Sequence, residues 1–228
     1  MKNKIIIIGV ICVLLILVFI FGESDGTKNN EEMLNINYNV KGNEVSLENY
    51  KTDNPVVAMY IEKYGSVVME LYPDKAPNTV NNFISLIKSG FYDNNTFHRL
   101  VTGFVLQGGD PDGTGAGGPG YSIKGEFSDN GFENDLKHEK GILSMARSAD
   151  NDSAGSQFFI MLDKSEYLDG KYASFGKVID GFKNIENIVS NERVTDSSTG
   201  KLANNLVIKK SIIDLKGKTY PEVEKIEE

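Results

Sequence analysis

The sequence predicts a mainly β domain, an antiparallel barrel or sandwich in which two helices cover what the strands leave open. Short runs rich in Val, Ile, Phe and Tyr recur between glycine-rich or polar loops. Only two stretches carry apolar residues at helical spacing. At 228 residues, 40% apolar and 25% charged, the chain can bury one sizeable core and still carry an appendage. No internal repeat is visible.

The first element is MKNKIIIIGVICVLLILVFIFG, an apolar run from Ile5 to Phe21 interrupted only by Gly9. Its seventeen residues lie at the short end of what crosses a bilayer as a helix. A cleaved signal peptide would have a shorter apolar region and small residues at the cleavage site, whereas Phe19, Ile20 and Phe21 crowd the exit. Residues 1–22 are therefore expected to form a membrane anchor or uncleaved signal. Lys2 and Lys4 before the run, and Glu23 and Asp25 after it, set the N-terminus in the cytoplasm. The expected location is the cell membrane, single-pass, with the rest of the chain on the extracytoplasmic side. Cys12, the only cysteine, lies inside the run, so the exported part has no internal disulfide and depends on its core.

Residues 23–54 are rich in Asn and charge and read as a polar tether, with a short strand possible near Val40 to Leu47. The folded domain is expected over 55–215, followed by a charged tail at 216–228. It opens with VVAMYIEKYGSVVMELY, two apolar runs about Lys63-Tyr64-Gly65-Ser66, as in a β-hairpin. APNTVNNFISLIKSGFY then places Val80, Phe83, Ile84 and Ile87 on one helical face, with Pro77 suited to the first turn and Gly90 just past the end. Strand-like runs follow at FVLQG, GILSMA, QFFIML and YASFGKVI. GFKNIENIVS reads as a second helix and NNLVIKKSIIDL as a closing strand.

Several chemistries are excluded on context. Apart from Lys2 and Lys4, the chain carries 22 basic against 32 acidic residues, so nucleic acid is not an expected partner. GTGAGGPG contains G-x-G-x-x-G at Gly113, Gly115 and Gly118, but Pro111 and Pro119 flank it where a dinucleotide site needs a strand and a helix. His98 and His138 lie far apart with no cysteine to join them, and the aspartates lack EF-hand spacing, so no metal site is expected. Ser148, Ser153 and Ser156 lie outside any nucleophile-elbow pattern. No cofactor is implied.

What remains is FHRLVTGFVLQGGD at 97–110, in which Arg99 sits among apolar residues and needs water or a partner. Gln107 and Gln157 are amides within apolar strands, where an unpaired group costs about 1–3 kcal/mol. With KGILSMARS at 140–148, GSQFFIML at 155–162 and YLDGKYASFGKVIDG at 167–181, this stretch resembles the signature blocks of the cyclophilin-type peptidyl-prolyl isomerases, in order and at compatible distances over about residues 55 to 215.

The resemblance implies a closed, eight-stranded antiparallel barrel capped by two helices, and acceleration of rotation about X-Pro bonds. It implies Arg99 as the catalytic donor, with Gln107 orienting it and Gln157 binding substrate backbone. Phe104, Val105, Phe159 and Leu168 would wall the proline pocket, with Val105 where the family often has methionine. Ala146 and Arg147 would meet the residue before proline; many members have asparagine at the second position, and an exposed arginine there favours acidic peptides. Tyr167 stands where the best-known members have a tryptophan linked to cyclosporin affinity, and Tyr172 where they have histidine. His98 has no proton to transfer in such a mechanism and reads as structural. The implied partners are proline-containing polypeptides and unfolded exported proteins, met by a monomer. A proline-peptide binding module or holdase is the alternative. Without the resemblance, the apolar residues of FVLQG and QFFIM would read as packing and Arg99 as an arginine lying over the core with its head in water.

Overall fold

The computed structural model describes residues 37–40 and 43–227. The apolar run Ile5–Phe21 and half of the expected tether lie outside them, and among the described residues no helix is long and apolar enough to cross a membrane.

Val56–Ile61 (β1) and Gly65–Leu71 (β2) form the expected hairpin. Its turn needs left-handed backbone at Lys63 (φ 72°) and at Gly65 (φ 99°), and glycine removes the Cβ cost at the second. Pro77–Lys88 (α1) follows with proline at its start and no side-chain cap from Ala76. Buried Glu126 takes that role from a distance, its carboxylate accepting from the amides of Asn78 at 2.9 Å and Thr79 at 2.7 Å. A carboxylate at the positive end of a helix satisfies two otherwise orphan donors.

Thr96–Val101 (β3) and Val105–Asp110 (β4) form a second hairpin, followed by Ile142–Met145 (β5), Phe158–Met161 (β6) and Ser174–Asp180 (β7). Phe182–Asn191 (α2) precedes the long Lys201–Asp214 (β8). All pairings are antiparallel, in the order β8-β1-β2-β7-β5-β6-β4-β3. At fourteen residues, β8 pairs with both neighbouring barrel strands, its second half with β1 and its first part with β3 through Lys201, Leu206 and Val207, and its start also carries the short strand Val194–Asp196. That double pairing closes the sheet into an eight-stranded barrel and leaves it without open edges. A barrel, not a sandwich, is the outcome.

Inside the barrel, Leu100, Leu106, Leu143, Phe158 and Ile160 belong to the main core. Phe83 of α1 packs its ring 5.0–5.2 Å from those of Tyr92, Phe158 and Phe175. β3 was not anticipated as a strand, because a histidine and an arginine break its apolar alternation.

The folded region begins earlier than the composition suggested. Asn37–Val40 pairs with Asn43–Ser46, and a single 3-10 turn at Leu47–Asn49 drives Leu47 to complete burial. Leu47 packs with Val56, Ala58, Tyr60, Val68 and Ile212 on the outside of β8, β1 and β2. Leu47, Val45 and Tyr50 among polar neighbours give no sustained periodicity, so residues 44–54 read as tether although these three side chains pack on the barrel. The expected tail behaves alike: Tyr220 and Val223 pack against the core, Asn78 and Glu224 exchange two hydrogen bonds at 2.9 Å, and Ile226–Glu227 pairs with Tyr121–Ser122.

Candidate active site

The barrel's inner face is filled, so any site must lie outside it or in its loops. Four adjacent strands, β3-β4-β6-β5, present such an outer face. Alternation along β4 sends Leu106 inward and Val105 and Gln107 outward; along β6, Phe158 and Ile160 point inward and Phe159 and Met161 outward. On β3 alternation alone would turn Arg99 into the core with Phe97. An extra residue prevents this: Phe97 pairs with Gly108 and Arg99 with Gln107, so His98 is the added residue of a β-bulge. The bulge resets the pleat, putting Arg99 and Val101 outside and Leu100 inside.

Arg99 is then tied in two directions. Its Nη1 donates to Gln107 Oε1 at 3.0 Å, and its Nε donates to the Thr199 carbonyl at 2.7 Å. Gln107 Nε2 donates to Gln157 Oε1 at 3.0 Å, and Gln157 Nε2 to the Gly117 carbonyl at 2.9 Å. Each amide thus accepts on oxygen and donates on nitrogen, which fixes its orientation and relieves the cost of its apolar setting. Burial pulls the guanidinium pKa below its usual value, opposed by the nearby Tyr167 and Tyr172. An arginine still remains a cation at neutral pH.

Beside this relay lies an apolar patch. Val105, Phe159 and Leu168 are buried in it, while Phe104, Ala146 and Tyr172 border it half-buried. Tyr167 is 62% exposed and stacks on Phe104 with ring centroids 5.8 Å apart; Tyr172 meets Phe159 edge-on at 5.9 Å. A groove of about 590 Å³ continues from the patch, lined by Gln107, Gln157, Ala146, Arg147 and the glycine-rich 115–120 loop. An apolar patch and a fixed cation, with backbone-lined space next to both, suit an extended peptide carrying a ring-shaped apolar residue.

A family model for cyclophilin type peptidyl-prolyl cis-trans isomerase/CLD matches residues 56–212. The chain belongs to the cyclophilin-type peptidyl-prolyl cis-trans isomerases. It is 48% identical over 128 residues to peptidyl-prolyl cis-trans isomerase B of Bacillus subtilis, covering 56% of this chain and 86% of that one. It is 43% identical over 142 residues to the peptidyl-prolyl cis-trans isomerase of Synechococcus elongatus, covering 59% and 93%. The crystal structure of a Cryptosporidium parvum cyclophilin-type isomerase in the presence of the dipeptide Ala-Pro is similar at a TM-score of 0.61 and 36% identity, covering 70% of this chain and 98% of that one. The chain is an isomerase that accelerates X-Pro rotation.

In this cyclophilin the eleven residues singled out in the sequence come together on one face. Arg147 differs from expectation. It is half-buried, with its guanidinium 4.7 Å from the Tyr172 ring and 5.0 Å from the Phe127 ring. Its N–H groups donate to the carbonyls of Lys171, Ser148 and Ala149 at 2.9–3.3 Å. A fork so occupied has little left to attract an acidic peptide.

Two features escaped the sequence. The carbonyls of Thr199 and Gly117 act through backbone and have no side-chain signature. Behind Phe159, buried His138 stacks on its ring at 6.2 Å, holds Asp169 through Nδ1 at 3.0 Å, and meets the Ser144 and Ser174 hydroxyls through Nε2 at 3.0 and 3.1 Å. Burial depresses the His138 pKa more than Asp169 raises it, so the imidazole stays neutral although it contacts a carboxylate. His98 is buried too, with neither ring nitrogen hydrogen-bonded, and burial lowers its pKa.

Proposed function

We propose that Arg99 is the catalytic donor of this isomerase, held in aim by Gln107, and that Phe104, Val105, Phe159 and Leu168 seat the proline ring. Rotation about X-Pro breaks no bond, but it must overcome ~18–20 kcal/mol of amide resonance. The twisted amide has a pyramidal, basic nitrogen, and a donor that meets this state better than the planar one lowers the barrier. The observation that carries the reading is the two-sided tether of Arg99. With Nε and Nη1 engaged, the remaining guanidinium N–H groups are held in a fixed direction beside the apolar patch. A rigid, permanently charged fork suits that role better than a lysine, which is flexible and sheds its proton more readily when desolvated. Gln157, Ala146 and Arg147 border the groove where the flanking peptide backbone would lie, and Tyr167 and Tyr172 complete the rim.

We further infer that residues 1–22 anchor the enzyme in the cell membrane with the barrel on the extracytoplasmic side, acting as a monomer on unfolded exported proteins. The apolar run Ile5–Phe21 with lysines before it and acids after it supports this.

The test is the cis/trans exchange rate of a short X-Pro peptide with the full chain in detergent micelles and with its Arg99→Ala and Arg99→Lys variants. Arg99→Ala is expected to lose at least about tenfold, or about 1.4 kcal/mol of barrier, with Arg99→Lys recovering little. A folded Arg99→Ala protein at the parent rate overturns the assignment. Protease protection of residues 1–22 in inverted and right-side-out vesicles tests the anchor.

A further inference from the structure

Arg99 is gripped at its root by a turn. The Thr199 carbonyl accepts from Arg99 Nε at 2.7 Å, and the next carbonyl, that of Gly200, accepts from the Leu100 amide at 2.8 Å. Two successive carbonyls of one turn therefore hold two successive residues of β3. The close approach requires glycine: Gly200 has φ 77°, and a Cβ there would lie 2.8 Å from the Leu100 carbonyl oxygen.

The turn joins the short strand Val194–Asp196 to β8, and Asp196 to Thr199 are all exposed. Their exposure leaves the shape of these four residues chiefly to local hydrogen bonds. Asp196 makes most of them. Its Oδ1 accepts from the Ser198 amide at 2.8 Å and the Ser198 hydroxyl at 2.6 Å; its Oδ2 accepts from the Thr199 hydroxyl at 3.0 Å; its carbonyl accepts from the Gly200 amide at 2.8 Å. These donors, Ser198 foremost, hold the Asp196 carboxyl down to about 2, so it stays ionised at neutral pH.

We propose that Asp196 is a positioning residue for the reaction, setting the direction of the Arg99 guanidinium through the Thr199 carbonyl. The inference rests on Arg99 being the donor that meets the amide. Gln107 fixes one end of the guanidinium and the turn fixes the other. With the turn loosened, the plane can swing about its bond to Gln107, and a donor that wanders loses its preference for the twisted state.

The experiment compares Asp196→Ala and Asp196→Asn with the parent in the full chain, measuring peptide affinity and bound-state cis/trans exchange by NMR. Asp196→Ala is expected to lower the exchange rate about fivefold with peptide affinity unchanged, as for a group acting only in the transition state. Asp196→Asn is expected to stay within about twofold of the parent, because an asparagine oxygen supports the same turn. In an Arg99→Ala background, Asp196→Ala is expected to cost nothing further, since its effect passes through that side chain. Should Asp196→Ala not fold, the Ser198→Ala, Thr199→Ala double variant removes two donors, keeps the carboxylate, and is expected to lose rate in the same way. A folded Asp196→Ala protein at the parent rate, or an equal loss with Arg99 present and absent, overturns the positioning role while leaving Arg99's own role intact. A parent rate in Arg99→Ala alone overturns both.

Discussion

Leu47→Ala tests whether the segment before residue 55 belongs to the folded unit. Leu47 is fully buried and lies in a small cluster on the outer face of β8, β1 and β2. Truncation removes three buried carbon groups at about 0.8 kcal/mol each, or about 2–3 kcal/mol before any cavity cost. The cluster lies at the surface and can partly collapse, which favours the lower end of the range. For a domain of this size each kcal/mol moves the thermal midpoint by about 2–4 °C, so a fall of about 4–12 °C is expected. The assay is thermal unfolding followed by far-UV circular dichroism, paired with the peptide exchange rate. The rate at 10 °C is expected to equal the parent's, because the cluster meets β8 at Ile212, eleven residues along that strand from Lys201, the partner of Arg99. An unchanged midpoint would refute the packing of residues 44–54 on the barrel, and a slowed rate would refute the independence of the two faces.

Gln107→Ala unties Arg99 Nη1 and strands the Gln157 amide; about tenfold loss of exchange rate with a much smaller change in peptide affinity is expected, read by NMR line shapes. Phe159→Ala opens the apolar patch and is expected to cost about 3–5 kcal/mol of stability in denaturant titration, together with weaker peptide binding. Stability should also fall with acid. The folded pKa values of His98 and His138 lie below their unfolded values, so the unfolded chain binds protons first as pH drops. The denaturation midpoint is therefore expected to hold above about pH 6.5 and decline from there towards the folded pKa values. His98→Leu is expected to shrink that decline and leave stability at pH 7 within about 1 kcal/mol, since neither ring nitrogen has a hydrogen bond to lose.

Most of the barrel was legible because strands and helices bury opposite patterns. Val80, Phe83, Ile84 and Ile87 announced α1 by spacing alone, and all four are buried. β3 was hidden by the same device that makes the site: a bulge at His98 interrupts alternation in order to turn Arg99 outward. Arg99, Gln107 and Gln157 were conspicuous as polar groups in apolar strands, and they prove to be one hydrogen-bonded relay. The Thr199 carbonyl could not be read, since a backbone acceptor is common to every residue. At Arg147 an exposed arginine would favour acidic peptides, but exposure could not be read from the segment itself, because its stacking on Tyr172 depends on a contact 25 positions away.

The order of strands around the barrel has a practical consequence. Leu47 docks on the side centred on β1, and the relay runs from β3 through β4 to the start of β6, two to four strands away around the ring of eight. A bead, dye or fusion partner attached ahead of residue 43 would enter on the sheltered side, so an immobilised preparation should keep its groove open to clients too long to fit a crowded surface. Attachment through residue 227 is the poorer choice, because that strand pairs with Tyr121, which itself lines the groove.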